Sequence, residues 1–291
     1  MFAMVTAPWA LAQQAPETRR GSRIIDDSTK QVYGPTTSRF FYERDIFYNR
    51  KQLHPIDTVI RNFHRYNYVQ RFENLYQDLG NIGTAIRPLY YDAPALVGAI
   101  PGFGAYDLYW DTEPVRYYDT KSPYSNMKVI LGGKGRSITR ATFSRNINPH
   151  WNFGFTYRGL FVDKQILRRG KGDRHVKDNY YDAYTAYETK DSTYTLTANF
   201  RRMRHQTDEN GGVDLPTDGT FADLFADDSR PKLTDAESRE LRTNFHIYHQ
   251  YRVGKALQLY HTLDKYRQSN QFFDVPGNAP EGFYDYDEVD S

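Results

Sequence analysis

Cysteine is absent from the 291 residues. That excludes thiolate metal sites, cysteine nucleophiles and disulfides, and it is compatible with an oxidising periplasm or cell surface. No apolar run approaches the ~20 residues of a membrane-spanning helix. Any form integral to a membrane must therefore be a β-barrel, because only helices and closed barrels satisfy their backbone hydrogen bonds in lipid. Charge of one sign is also scarce: 38 basic against 36 acidic residues leave a formal net charge of +2, too balanced for a nucleic-acid binder. Apolar residues reach only 39% with tyrosine counted, below the roughly 45–50% of an ordinary soluble domain.

Aromatic residues are plentiful, at 16% of the chain with 25 tyrosines. A disordered chain is aromatic-poor, so this polar but ring-rich composition points to strands whose rings face an apolar or interfacial environment. Membrane barrels have that profile, with aromatic girdles outside and a polar interior.

The N-terminus reads as an export signal over residues 1–12, clipped at its start. An apolar run from Phe2 to Leu11 leads into Ala10-Leu11-Ala12, a small-x-small cleavage pattern, and then into polar Gln13-Gln14. Residues 13–112 form a periplasmic or plug-like segment without clear periodicity. Within it, 56–78 fits a short helix or a strand, Gly80-Asn81-Ile82-Gly83 is a turn, and the Pro- and Gly-rich stretch 93–104 is a loop.

From about Glu113 the texture becomes short alternating segments. Trp151, Phe153, Phe155, Tyr157 and Phe161 alternate with Asn152, Thr156 and Arg158, a period of two that specifies a strand. The same holds for Tyr194, Leu196, Ala198 and Phe200 against Thr195, Thr197, Asn199 and Arg201, and for Phe245, Ile247, Tyr251 and Val253 against Asn244, His246, Gln250 and Arg252. Strands are expected near 113–120, 125–131, 137–147, 151–162, 180–189, 192–204, 241–253 and 256–267. Their first, third, fifth and seventh connections are short, and the fourth and sixth, 163–179 and 205–240, are long and hydrophilic, the second, 132–136, being the exception at only slightly more than its neighbours' length. This parity is that of an antiparallel up-and-down transmembrane β-barrel with short turns on one side and outer loops on the other. A Greek-key sandwich would not alternate in this way.

Enzymatic patterns fail on geometry. His246 and His249 would point to opposite sides of a strand and cannot share a zinc ion. Gly132-Gly133-Lys134-Gly135-Arg136-Ser137 lacks the phosphate-loop spacing and is explained by a hairpin turn. The carboxylate pairs Asp227-Asp228 and Asp285-x-Asp287-Glu288 have no spacing that distinguishes acid–base work from solvated surface. Neither an enzyme activity, a metal site nor a cofactor is expected. The candidate functional residues are those of the polar strand face, Arg140, Thr142, Ser144, Asn152, Thr156, Arg158, Thr195, Thr197, Asn199 and Arg201, expected to line a pore. Its arginines would favour anions.

The sequence resembles the putative porin family of Bacteroidetes, outer-membrane β-barrels. The resemblance rests on Arg23-Ile24-Ile25-Asp26-Asp27-Ser28-Thr29, Gln31-Val32-Tyr33-Gly34-Pro35, Asn62-Phe63-His64-Arg65-Tyr66-Asn67 and Tyr76-Gln77-Asp78-Leu79-Gly80-Asn81-Ile82-Gly83. Ser144-Arg145-Asn146-Ile147-Asn148 and Thr243-Asn244-Phe245 also fit. It implies a transport-like barrel of the outer membrane with no defined substrate, in contact with lipid, small solutes and possible partner membrane proteins. Members are longer than this chain, which is therefore expected to be the N-terminal portion of a larger barrel. Two rival readings are an accessory barrel of an outer-membrane assembly or secretion complex, and a secreted soluble β-sheet module that binds glycans. The soluble module would need its aromatic face buried and its polar face exposed.

Overall fold

The structure is a computed structural model that describes residues 37–59, 64–91, 103–166, 168–214, 220, 229–254 and 256–284, within the compact unit Gly34–Ser291. The expected signal 1–12, the motifs of 23–29 and 31–35, Asn62 and Phe63, most of the 93–104 loop and the carboxylate pairs at 227–228 and 285–288 lie outside the described residues.

Fourteen strands and two short α-helices are described. The first group comprises β1 (Ser38–Phe41), α1 (Glu43–Phe47), β2 (His54–Pro55), α2 (Tyr68–Arg71), β3 (Tyr76–Asp78), β4 (Ile86–Pro88) and β5 (Tyr117–Thr120), with a 3-10 turn at Asp107–Tyr109. The second comprises β6 (Tyr124–Leu131), β7 (Ser137–Asn148), β8 (Trp151–Asp163), β9 (Arg174–Glu188), β10 (Tyr194–Glu209), β11 (Val213–Asp214), β12 (Arg230–Pro231), β13 (Ala236–Val253) and β14 (Leu257–Phe273). Seven of these form one antiparallel sheet in the order β14-β13-β10-β9-β8-β7-β6. Every neighbour in that sheet is also the next of its strands in sequence, which is the up-and-down connectivity expected. Its two edge strands, β6 and β14, do not pair with each other, so the barrel is not closed among the described residues.

β7, β9 and β13 each turn into the next strand of the sheet at one end, and β6, β8 and β10 leave for the next strand at the other. Asp191 builds one of the short turns by accepting bonds from Thr189 and Thr193. The Gly132–Arg136 connection is the hairpin read from the sequence, closed by Gly132 N donating to the Arg136 carbonyl at 2.8 Å. Lys134 and Gly135 there have φ of 52° and 68°, the left-handed region that tight turns use.

Two expected boundaries are corrected. The segment 113–120 supplies no wall strand: β5 pairs with β1 in a separate three-stranded sheet, β2-β1-β5. Three of its four residues are buried, so it has no solvent- or lipid-facing alternation. The loops 163–179 and 205–240 are shorter than expected because β9 starts at Arg174, β10 runs to Glu209 and β13 starts at Ala236. Charged residues occupy both faces of those strand ends, which conceals a period of two. Ile86–Pro88 pairs with β3 and adds nothing to the large sheet.

The distribution of exposure is inverted relative to a soluble sheet. Met127, Leu131, Phe143, Trp151, Phe153, Phe155, Tyr187, Phe200, Phe245 and Leu263 are exposed on one face, whereas Ser144, Asn152, Thr156, Thr197 and Asn199 are buried on the other. The described residues between 37 and 120 cover the polar face. Tyr68, Ile86, Tyr106, Leu108 and Tyr109 pack on Leu160, Val162, Val176, Tyr180 and Met203. Phe40, Phe41, Ile46, Tyr117 and Tyr118 pack on Tyr184, Ala186 and Tyr248. Only Lys121, Ser122 and Pro123 separate β5 of this covering layer from β6 of the sheet.

Candidate functional site

The covered face of the sheet brings together all ten polar residues expected on one side. Ser144, Asn152, Thr156, Arg158, Thr195, Thr197 and Asn199 are buried, and Arg140, Thr142 and Arg201 are half-buried. Their alternation fixes this: each pairs across the ladder with another residue of the same face, as in Arg140 with Arg158, Thr142 with Thr156 and Ser144 with Gly154. The Thr142 and Thr156 hydroxyls lie 3.1 Å apart, and Ser144 donates to Asn152 at 3.1 Å.

The three arginines converge on one piece of the covering layer, residues 109–113. Arg158 donates to the Tyr109 carbonyl and, at 2.8 Å, to the fully buried Asp178 of β9. Arg140 pairs with Asp111 at 3.0 Å. Arg201 donates to the Asp111 carbonyl at 2.9 Å and the Glu113 carbonyl at 2.7 Å. Burial pushes the Asp111 carboxyl up, but Arg140, Arg158 and Arg201 together outweigh it and hold the group below the usual aspartate range.

Beside this grip, His205 is fully buried between the rings of Tyr106, at 4.5 Å, and Tyr109, stacked at 4.9 Å. Its Nε2 lies 2.8 Å from the Gly83 carbonyl and its Nδ1 3.5 Å from Asp178. Gly83 N donates to the Tyr109 hydroxyl at 3.1 Å, and that hydroxyl donates to the Thr84 carbonyl at 2.8 Å. Gly83 has φ +90°, and a Cβ there would fall 2.5 Å from Val176 Cγ1. Only glycine brings this turn so close to the sheet. Burial pushes the Tyr109 phenol up, so it stays a neutral donor.

The remaining wall residues hold α1 and β5. Thr197 donates to Glu43 at 2.7 Å, His246 Nε2 lies 2.9 Å from the same carboxylate, and Asn199 donates to the Tyr117 hydroxyl at 3.1 Å. Arg242 pairs with Glu240 and Asp107. His246 therefore faces the covering layer while His249, on the opposite face, stacks edge-on with His261. The two do not share a site, and no group of His, Asp and Glu able to hold a metal occurs among the described residues.

Between the sheet and the covering layer lies a cavity of about 310 Å³, lined among others by Arg71, Arg116, Arg140 and Arg201 and by Asp57, Asp111, Glu113 and Asp182. Four cations face four carboxylates, so the space is strongly polar without a net sign. Sequence reasoning missed the acidic half of this arrangement. Asp111 lies outside any periodic segment, Glu113 opened a segment read as a wall strand, and Asp178 fell in what read as a loop. A signal existed: Asp178, Tyr180, Asp182 and Tyr184 share one parity, and that parity is the buried one.

No helix among the described residues is long and apolar enough to cross a membrane, which says nothing about crossing by strands. No curated protein and no solved structure gives a match. The family described as "Putative porin" matches residues 38–290, and with that span of the chain covered the protein belongs to this porin family.

Proposed function

We propose that the seven-stranded sheet is part of the wall of an outer-membrane β-barrel that admits small solutes, and that the described residues between 37 and 120 occupy its interior. The observation that carries this reading is the inverted sheet: its aromatic face is bare and its arginine-, serine- and threonine-rich face is covered. In lipid the bare face is the favourable one, and the polar face becomes the interior. The apolar band supports the same reading. The row holding Leu131 and Phe161 continues on later strands as Lys177, Gln206, Arg239 and Gln271, while Val253 and Leu257 extend past the row of Trp151. A band that slides steadily along the register is what strands tilted about 35–45° to a flat membrane require.

The passage is the charged cavity, and Arg140, Arg158 and Arg201 govern it as positioning groups for residues 109–113 rather than as a bare cationic ring. Thr142, Ser144, Asn152, Thr156, Thr195, Thr197 and Asn199 line the interior and seat the covering layer. A soluble glycan-binding module is disfavoured, because its aromatic face would have to be the covered one. The filled interior favours one second reading: an accessory barrel that conducts nothing and presents its long-loop end to partner proteins.

Planar-bilayer conductance of the refolded protein tests the proposal, with heat-modifiable gel migration as the check on barrel formation. Discrete ion-permeable steps are expected. A folded barrel that never conducts overturns solute passage and leaves the accessory barrel.

A further inference from the structure

The bare face of the sheet carries a feature that solute passage does not use. Immediately on the long-loop side of the apolar band, Lys177 of β9, Arg202 and Arg204 of β10 and Lys265 and Arg267 of β14 point to this face, and all five are exposed. Arg202 and Arg267 are both aligned with Thr243, one strand to either side of it, which places their backbones about 10 Å apart. Two long guanidinium side chains can close that gap around one anion. Arg204 lies one row above and Lys265 one row below, so the cations follow the same diagonal as the edge of the apolar band.

The belt has one sign. On this face of the seven strands, the carboxylates among the described residues are Asp208 and Glu237, and both are already engaged. Asp208 pairs with Lys164 at 2.9 Å, while Glu237 accepts from Gln206 at 2.8 Å and pairs with Arg239. None of the five belt cations makes an ion pair among the described residues, although Arg140, Arg158, Arg201 and Arg242 of the covered face all do.

We propose that this belt is a docking surface for the phosphate groups of anionic membrane lipids in the leaflet at the long-loop end. The inference rests on the membrane-wall reading. Cations at the edge of an apolar band reach the headgroup layer with their stems lying along the acyl region. There each lysine or arginine strengthens attraction to anionic lipid. Arginine suits the occupant because its planar fork binds phosphate oxygens in pairs. With Asp208 and Glu237 engaged by other partners, the charge of the five cations is available for the lipid.

The test uses the full chain refolded into phosphatidylcholine nanodiscs that carry a minor fraction of a diphosphorylated glucosamine glycolipid or its dephosphorylated counterpart. After extraction into mild detergent, the lipid that remains bound is counted by mass spectrometry. The phosphorylated lipid is expected to be retained at least about tenfold over the dephosphorylated one, with the preference falling as salt rises. Replacing the belt with glutamine (K177Q, R202Q, R204Q, K265Q and R267Q together) is expected to abolish it. Should that variant fail to insert, the salt titration of the unaltered protein decides alone. An inserted, heat-modifiable protein with no phosphate preference overturns this inference and leaves the membrane wall intact. A preference removed by millimolar inorganic phosphate also overturns it, since the site would then be one for free anions. A chain that does not insert at all overturns the wall and the belt together.

Discussion

The wall strands β6–β10, β13 and β14 and the covering layer of residues 37–120 are held together by different physics. Each wall strand is specified by its neighbours in sequence: alternation sets the face, a short turn sets the register, and the ladder satisfies the backbone. The covering layer has elements of two to five residues, too short to be stable on their own. It takes its shape from side-chain contacts made by the wall. The comparison teaches that the polar face of the wall serves first as a mould for the covering layer.

The largest way to break this relation is through the buried ion pair. Asp178→Ala leaves Arg158 buried without its carboxylate, and a loss of about 3–5 kcal/mol is expected, read as a lower urea midpoint for the heat-modifiable form. A double replacement by apolar residues, Arg158→Met with Asp178→Leu, is expected to recover much of that stability in the wall. The covering layer would still lose its bond to the Tyr109 carbonyl.

The two faces of one strand can be set against each other next. Phe155→Arg places a charge on the bare face and is expected to cost about 2–4 kcal/mol in a bilayer, measured as reduced insertion into vesicles. Its neighbour Gly154 faces the covered side, where a Cβ would fall 2.1 Å from Cζ of Tyr184. Gly154→Ala is expected to cost about 1–3 kcal/mol by overpacking. This loss should be the same in detergent and in lipid, whereas that of Phe155→Arg should not.

The smallest change is the most informative about passage. Asp111→Asn removes a partly solvated pair with Arg140 worth about 0.5–1 kcal/mol, so the wall should remain folded while conductance rises. The same effect should follow acidification. The folded Asp111 carboxyl is held below its ordinary range, so its contribution is present above the unfolded aspartate pKa of about 3.9 and is lost as pH falls through the lower folded value. Conductance recorded from neutral pH down past about pH 4 should increase in the unaltered protein and change less in Asp111→Asn.

Legibility in the sequence followed the same division. The segments 151–158 and 194–201 were plain because apolar and polar residues alternate there. So was the side on which each of the ten polar residues lies. The starts of β9 and β13 were hidden because Lys177 and Arg239 are charged on the bare face while Asp178 and Glu240 are charged on the covered one. Alternation of hydropathy disappears there although alternation of direction persists. The contacts that seat the covering layer had no local signal. Glu43 meets Thr197 across 154 positions of sequence and Arg201 meets Asp111 across 90, and no spacing rule reaches that far.

The three residues between Thr120 and Tyr124 act as a leash. Fully extended, the chain from Thr120 to Tyr124 spans at most about 14 Å, so β5 stays within that radius of the end of β6 whatever happens upstream. Expulsion of the whole covering layer into bulk water would require β6 to peel away with it.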